Sequence, residues 1–491
     1  MSVKPRAEQT SGLKVAVIGA GMSGILAALK LREAGYTEVR IFEKAARLGG
    51  TWRDNTYPGL TCDVPSQHYC YSFELSAEWS RLFSPGAEIL AYLESVATKH
   101  GVAEQIEFNK ELLSAHWLEG VWHLKFADET AVVVDVVIAA TGVLHHPVLP
   151  AIAGIGNFAG PAFHTARWNH EVELEHKQVG IIGTGSTAIQ LVPALVDDVS
   201  SLTLFQRTPQ WVLPLPNPAF KEDQKAHFRT HPETLDHAYH QWLDRIRTTI
   251  ARAVIGDQEQ MAKIAQACRD NLANSVRDDA LRAKLTPDYQ VACKRLIMSE
   301  TFYEAIQRPN ANVETTPIAR IEAGGVRLCD GRLQELDVLI YATGFDAHRF
   351  MRDIDFVGTD GVRLEDAWAH APHTHRSLSV PGFPNFFMLI GPNSPIGNFS
   401  LIMVAELQVA YLLQLLAPLR SGGCRAIEST AAACAAFNQD IRNAMKGTVW
   451  VSGCRSWYLD KNGQPILWPW TLERFQAEMA APDLAEYALT G

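Results

Sequence analysis

Two glycine-rich turns, one near the start of the chain and one past its first third, constrain the fold more than any other feature. The first reads Gly19-Ala-Gly21-Met-Ser-Gly24 and follows the short apolar run Lys14 to Ile18. The second reads Gly183-Thr-Gly185-Ser186-Thr187-Ala188 and follows Val179 to Ile182. Each leads into an apolar stretch with helical spacing. A strand that enters such a turn and leaves as a helix lets backbone N–H groups and the helix N-terminus approach a pyrophosphate closely. The expectation is an α/β chain with two Rossmann-like dinucleotide-binding domains. Two such sites in one chain point to electrons passing from one nucleotide to another.

The residue that follows each unit separates the two. After the first turn, strand Glu38 to Phe42 ends at Glu43, about 20 residues beyond Gly24, where a carboxylate accepts hydrogen bonds from a ribose hydroxyl. After the second, strand Ser201 to Phe205 runs into Gln206, Arg207 and Thr208, with Arg207 at the matching distance from Ala188. An arginine there favours the 2′-phosphate of NADP, though a surface arginine at a strand end is the plainer reading. One charge-assisted hydrogen bond of this kind is worth roughly 1.5–3 kcal/mol, or roughly tenfold to a hundredfold in discrimination.

Other pieces fill in the frame. Gly49-Gly50-Thr51-Trp52 lies at a distance from the first turn that fits an FAD site, and Tyr57-Pro58-Gly59 follows it. Asp63 is an acid among Tyr57, Val64, Tyr69 and Tyr71, readable as a turn or cap residue or as a functional group. Strand Asp135 to Ala140 runs into Thr141-Gly142, and Asp337 to Ala342 runs into Thr343-Gly344, so the chain carries a loose duplication. The expected division is 1–145 and 347–491 for the FAD-binding domain, with a C-terminal loop, and 146–216 and 294–346 for the NADP-binding domain. Residues 217–293, rich in charge, alanine and histidine, read as a helical insertion in the NADP-binding domain. His237 and His240 could share a helix face, but no third ligand lies nearby, and no metal is expected. The first dozen residues read as a tail.

Composition excludes some classes. A formal net charge of −10 argues against a nucleic-acid partner. No signal peptide and no uninterrupted apolar run long enough for a membrane span stand out. The eight cysteines are irregularly spaced and read as reduced thiols of a cytoplasmic protein. The tryptophan-rich tail, with Trp450, Trp457, Trp468 and Trp470, reads as a loop covering a ligand or as ordinary packing.

With these pieces assembled, the chain resembles the class B flavoprotein monooxygenases, and most closely the type I Baeyer–Villiger monooxygenases. The stretch Phe158, Gly160, His164 and Trp168 matches that family's signature, with Asn169 where proline or aspartate usually follows. The resemblance implies two cofactors, FAD and NADPH. It assigns Gly19, Gly21, Gly24, Glu43, Gly50, Trp52, Asp63 and Tyr69 to the flavin. It assigns Gly183, Gly185, Ser186, Thr187, Ala188, Arg207, Thr208, Lys294 and Trp457 to NADP. Arg295 is similar to the arginine that stabilises a negatively charged flavin C4a-peroxide, and Asp63 to the acid that holds that arginine. His164 is similar to a pivot between domains. The implied reaction inserts one oxygen atom of O2 beside a ketone carbonyl to give an ester or lactone, with sulfides as further substrates, in a monomer or homodimer.

Rival readings meet specific obstacles. Trp168 and Arg295 argue against an N- or S-oxygenating flavin monooxygenase. A disulfide reductase needs neighbouring cysteines beside the flavin, whereas Cys62 and Cys70 are well separated and no Cys-x-x-Cys occurs. A non-enzymatic flavin scaffold would not need both turns, Glu43 and Arg207.

Overall fold

The computed structural model describes residues 12–351 and 353–491; nearly all of the expected N-terminal tail lies outside them. Ten short strands build two five-stranded parallel sheets. In chain order they are β1 (Lys14–Ile18), β2 (Glu38–Phe42), β3 (Ile106–Glu107), β4 (Val136–Ala139), β5 (Ala162–His164), β6 (Gln178–Ile182), β7 (Ser201–Phe205), β8 (Ala311–Glu314), β9 (Val338–Tyr341) and β10 (Phe386–Met388). The first sheet runs β10-β4-β1-β2-β3 and the second β5-β9-β6-β7-β8. The order is the same in both: an edge strand, the strand ending in Ala-Thr-Gly, the strand entering the glycine turn, then two more. The duplication in sequence is thus a duplication in topology.

The central strands are buried on both faces, which is why they read as continuous Val/Ile runs. Helix α1 (Met22–Glu33) follows the first turn, α2 (Ser186–Leu195) follows the second, and α3 (Leu401–Arg420) covers α1. Each sheet borrows its edge strand from elsewhere in the chain. The signature stretch supplies β5, with His164 paired to Tyr341, and the segment near Phe386 supplies β10.

Three findings differ from expectation. The region 217–293 does form helices, from Glu222–Thr230 to Asp279–Leu285, but they do not belong to one sheet. Tyr239, Val254, Met261 and Cys268 share a core with the first sheet, while Leu272, Val276 and Leu285 pack with the second. Helix α3 is long and apolar enough to cross a membrane. It is nonetheless a core helix: Gln408 is fully buried and accepts the Ile390 N–H at 2.8 Å, and Glu406 accepts the Ser72 N–H. Finally, not all cysteines are free: Cys293 and Cys454 form a disulfide, with Cα atoms 6.2 Å apart. Irregular spacing concealed that pairing because its partners are 161 residues apart.

Candidate active site

The first turn is built by close approach. Gly19 has φ +103°, and a Cβ there would lie 2.6 Å from the Ala140 carbonyl at the end of β4. A Cβ on Gly24 would lie 1.9 Å from the Gly19 carbonyl, so α1 can begin here only with glycine. Gly21 caps α1 without a side-chain hydrogen bond, and the first helical turn holds no acid. The Gly49 N–H donates to the Ala20 carbonyl at 2.9 Å, which lays the second glycine pair alongside the first turn. Uncapped helix N–H groups beside open glycine backbone fit an anionic pyrophosphate. Glu43 is buried; its carboxylate accepts the Ala20 and Ala45 N–H groups, both at 2.9 Å, and pairs with Arg53 at 3.0 Å.

The second turn repeats this backbone. Gly183 has φ +117°, and a Cβ there would lie 2.3 Å from the Ala342 carbonyl, the counterpart of Ala140. Gly185 caps α2, again without a side-chain bond, and open space surrounds it. Ser186 and Thr187 open the helix, and Ala188, fully buried, stands where the first turn needs glycine. Thr184 donates to the Thr208 carbonyl at 2.7 Å, tying the turn to the end of β7. Arg207 is exposed there. Lys294 lies with its ammonium 4.3 Å from the centre of the Tyr289 ring. Burial, and then repulsion from Arg207, lower the Lys294 pKa below the usual lysine value. Two cations facing one another fit a doubly charged phosphate group.

The segment between the turns fastens the two halves together. The Tyr57 hydroxyl donates to Gln190 Oε1 on α2 at 2.8 Å, and Gln190 Nε2 donates to the Thr61 carbonyl at 3.1 Å. A Cβ on Gly59 would lie 2.6 Å from the Gln190 carbonyl. Just beyond, Asp63 Oδ2 accepts Arg295 Nε at 3.0 Å and Nη2 at 2.6 Å. Burial works against the charge on Arg295, but Asp63 and then Tyr458 outweigh it and raise its pKa above the ordinary arginine value. The guanidinium is therefore a fixed cation, on a side chain about a quarter exposed. Tyr69 accepts the Trp52 indole N–H at 3.3 Å, and burial pushes its own phenol pKa up.

The structure joins Asp63 to Arg295 and brings Arg207 close to Lys294. Other expected residues are less engaged. His164 is buried, accepts the Ala166 N–H on Nδ1 at 3.1 Å, and is held neutral by burial, with its pKa lowered to about 4. Gly160 approaches the Asp337 carbonyl so closely that a Cβ would lie 2.4 Å from it. Phe158 packs in a small core with Ile152 and Ile155, and Trp168 packs edge-on against Phe163. Trp457 is about one-third exposed, its ring lies 4.6 Å from that of Tyr458, and its carbonyl pairs with His348. Trp450 and Trp468, in contrast, are core residues rather than parts of a cover. Sequence reasoning missed Gln190, Tyr458 and the cysteine pair. Only the position of Tyr458 beside Trp457 could have marked it. Among the described residues no cluster of three metal-ligating side chains occurs.

Comparison with known proteins agrees with this geometry. A family model described as an NAD(P)-binding Rossmann-like domain matches residues 17–84. An uncharacterised monooxygenase of Mycobacterium tuberculosis is 46% identical over 97% of this chain and 96% of its own length. A Baeyer–Villiger monooxygenase of Streptomyces coelicolor is 39% identical over 97% of this chain and 92% of its own. A solved structure of OTEMO in complex with FAD and NADP superposes with a TM-score of 0.87 at 27% identity, covering 97% of this chain and 99% of that one. The duplicated dinucleotide-binding fold and these relatives together define a flavoprotein monooxygenase. The chain belongs to the Baeyer–Villiger monooxygenase family.

Proposed function

We propose that this chain catalyses the reaction of a ketone, O2, NADPH and a proton to give an ester or lactone, water and NADP, with FAD as its resident cofactor. Bound FAD would supply the capacity to take a hydride from NADPH and to activate O2. The glycines at 19, 21, 24 and 50, with Glu43, Trp52, Asp63 and Tyr69, would hold it. Gly183, Gly185, Ser186, Thr187 and Ala188 would cradle the NADP pyrophosphate. Arg207, Thr208 and Lys294 would take the 2′-phosphate, and Trp457 would contact the same nucleotide. On this reading the chain divides at the boundaries expected from sequence, with the helical segment 217–293 shared between the two cores.

The observation that carries the reading is the Asp63–Arg295 pair, placed just past the segment that fastens the two halves. A planar cation without a removable proton can stabilise negative charge on oxygen without protonating and quenching it. Asp63 orients the guanidinium and keeps one face committed, so the rest can turn to a reacting oxygen. No protein nucleophile is required. Sulfides present a lone pair to the same oxygen donor and form a second substrate class. We assign the enzyme to the cytoplasm, where NADPH is supplied, as a monomer or homodimer.

The test is product analysis after incubating the yellow protein with NADPH, O2 and a panel of ketones and sulfides. Esters or lactones are expected from the ketones. Sulfoxides with hydrogen peroxide alone would instead favour an S-oxygenating enzyme. Arg295→Ala should keep its flavin and lose about 100- to 1,000-fold in ester formation, the usual cost of one preorganised donor. Unchanged ester yield would remove Arg295 from this role.

A further inference from the structure

Arg295 is gripped from two sides. Asp63 holds it through two hydrogen bonds, and the Tyr458 hydroxyl lies close enough to interact with its charge. Tyr458 is almost fully buried, and its hydroxyl also lies beside Gly397, next to the Ile396 carbonyl that Arg295 Nη1 approaches at 3.5 Å. The loop carrying Tyr458 is tied a second time to the same strand end. Cys454, four positions before Tyr458, is bonded to Cys293, two positions before Arg295. A short ring results, closed by a disulfide at one end and by the tyrosine–arginine contact at the other.

Other attachments of this loop join the Trp457 carbonyl to His348, and Lys461 and Asn462 to the Ala369 and His370 carbonyls. Trp450 is buried before the ring. After it, the Ile466 N–H donates to the Tyr458 carbonyl at 3.1 Å, and the Asn393 N–H donates to the Ile466 carbonyl at the same distance. Arg455 is exposed between Cys454 and Tyr458, and Lys461, which donates to the Ala369 carbonyl, is exposed between Tyr458 and Ile466. The disulfide is therefore the covalent staple of a loop otherwise held by hydrogen bonds and packing, and it joins that loop to the segment just before Arg295.

We propose that Tyr458 is a positioning residue for Arg295, and that the Cys293–Cys454 pair is a thiol–disulfide latch that keeps Tyr458 in place. The importance of the latch rests on the role given to Arg295 above. A dithiol reductant opens it by exchange. One thiolate attacks Cys454, the less buried residue of the pair, and Cys293 leaves as a thiolate. The second thiol of the reductant then displaces Cys454. Two electrons and two protons pass to the protein, which ends with two thiols, while the reductant ends as its own disulfide. With the staple open, the loop retains only non-covalent contacts, and Arg295 loses one of its two grips.

The test begins with the wild-type holoenzyme, so no variant has to fold. Thiol titration in denaturant should find six free cysteines before treatment with dithiothreitol and eight after it. Trypsin should cut after Arg455 and Lys461 about tenfold faster once the protein is reduced, because loop opening no longer has to carry the staple. Cys454→Ser should show the fast cleavage with or without dithiothreitol. Tyr458→Phe should keep the disulfide and the slow cleavage, yet divert NADPH consumption from ester to hydrogen peroxide. Eight free thiols in air-oxidised protein, or a cleavage rate indifferent to reduction, would overturn the latch. An unchanged ester-to-peroxide ratio in Tyr458→Phe would overturn the positioning role. Thiol count and cleavage do not depend on what Arg295 does, so a failure of the proposed function would show separately, as ester formation that survives Arg295→Ala.

Discussion

The turn at Gly19 and the turn at Gly183 share one backbone and differ in what stands behind it. In both, the first glycine lies under the carbonyl of an alanine that ends the neighbouring strand, Ala140 in one and Ala342 in the other. In both, the helix opens without a side-chain cap. The first turn, however, is backed by a buried acid already committed to two backbone N–H groups and Arg53, whereas the second is backed by an exposed arginine near a partly buried lysine. Sterics dictate the turn, and a single residue at the next strand end dictates its ligand. A sealed, internally bonded site suits a cofactor that stays, and an open cationic one suits a cofactor that is exchanged at every turnover.

The harshest way to break this comparison is Gly24→Val. Its side chain would need the space of the Gly19 carbonyl, and the protein should purify colourless, as its absorption spectrum would show. The equivalent position in the second turn is already alanine, so Ala188→Gly should leave flavin content unchanged. Next in size is Arg207→Ala, which should raise the KM for NADPH roughly tenfold to a hundredfold while bound flavin stays constant, measured by steady-state kinetics. Equal use of NADH and NADPH by the wild type would erase the distinction between the turns. Glu43→Gln replaces one of two accepting oxygens with a donor facing a donor. It should weaken flavin binding by about 1–2 kcal/mol, roughly tenfold, seen as flavin lost on gel filtration.

The smallest effects concern pH. Because the Lys294 pKa is lowered, its charge is lost at a less alkaline pH than for an ordinary lysine. NADP affinity, measured by calorimetry, should therefore fall as pH rises through the alkaline range, and Lys294→Arg should remove that fall. His68 and His164 are buried with pKa values lowered to about 4 from 6.5. In the window between those values the unfolded chain binds protons that the native chain does not, so stability is lost as pH falls from 6.5 towards 4. Thermal unfolding at pH 7 and pH 5 checks the sign: the midpoint should be lower at pH 5.

Both turns, their strands and the repeated Ala-Thr-Gly ends were legible in the sequence because each is a local pattern with a steric cause. The apolar run from Ser400 to Leu416 reads as a helix for the same reason, and it is α3. The apolar run beginning at Phe383 reads as a buried strand and is β10, whereas the edge strand β5 was harder, since so short a segment joins a sheet through tertiary pairing rather than propensity. The Asp63–Arg295 pair joins residues 232 positions apart; spacing carries no trace of it, and only the family resemblance placed those two residues together. The disulfide, the Gln190 clasp and the sharing of the insertion between two cores were invisible for the same reason: they are contacts between distant segments, set by how the two halves dock.

The central claim is that one nucleotide site feeds electrons to the other and that an oxygen atom from O2 ends in a ketone beside Arg295. The most direct measurement is turnover with NADPH and a ketone under isotopically labelled O2, read by mass spectrometry. The account predicts one labelled oxygen in each ester or lactone and one NADPH consumed per product. An unlabelled product, or label recovered only in hydrogen peroxide while the ketone is unchanged, would contradict it.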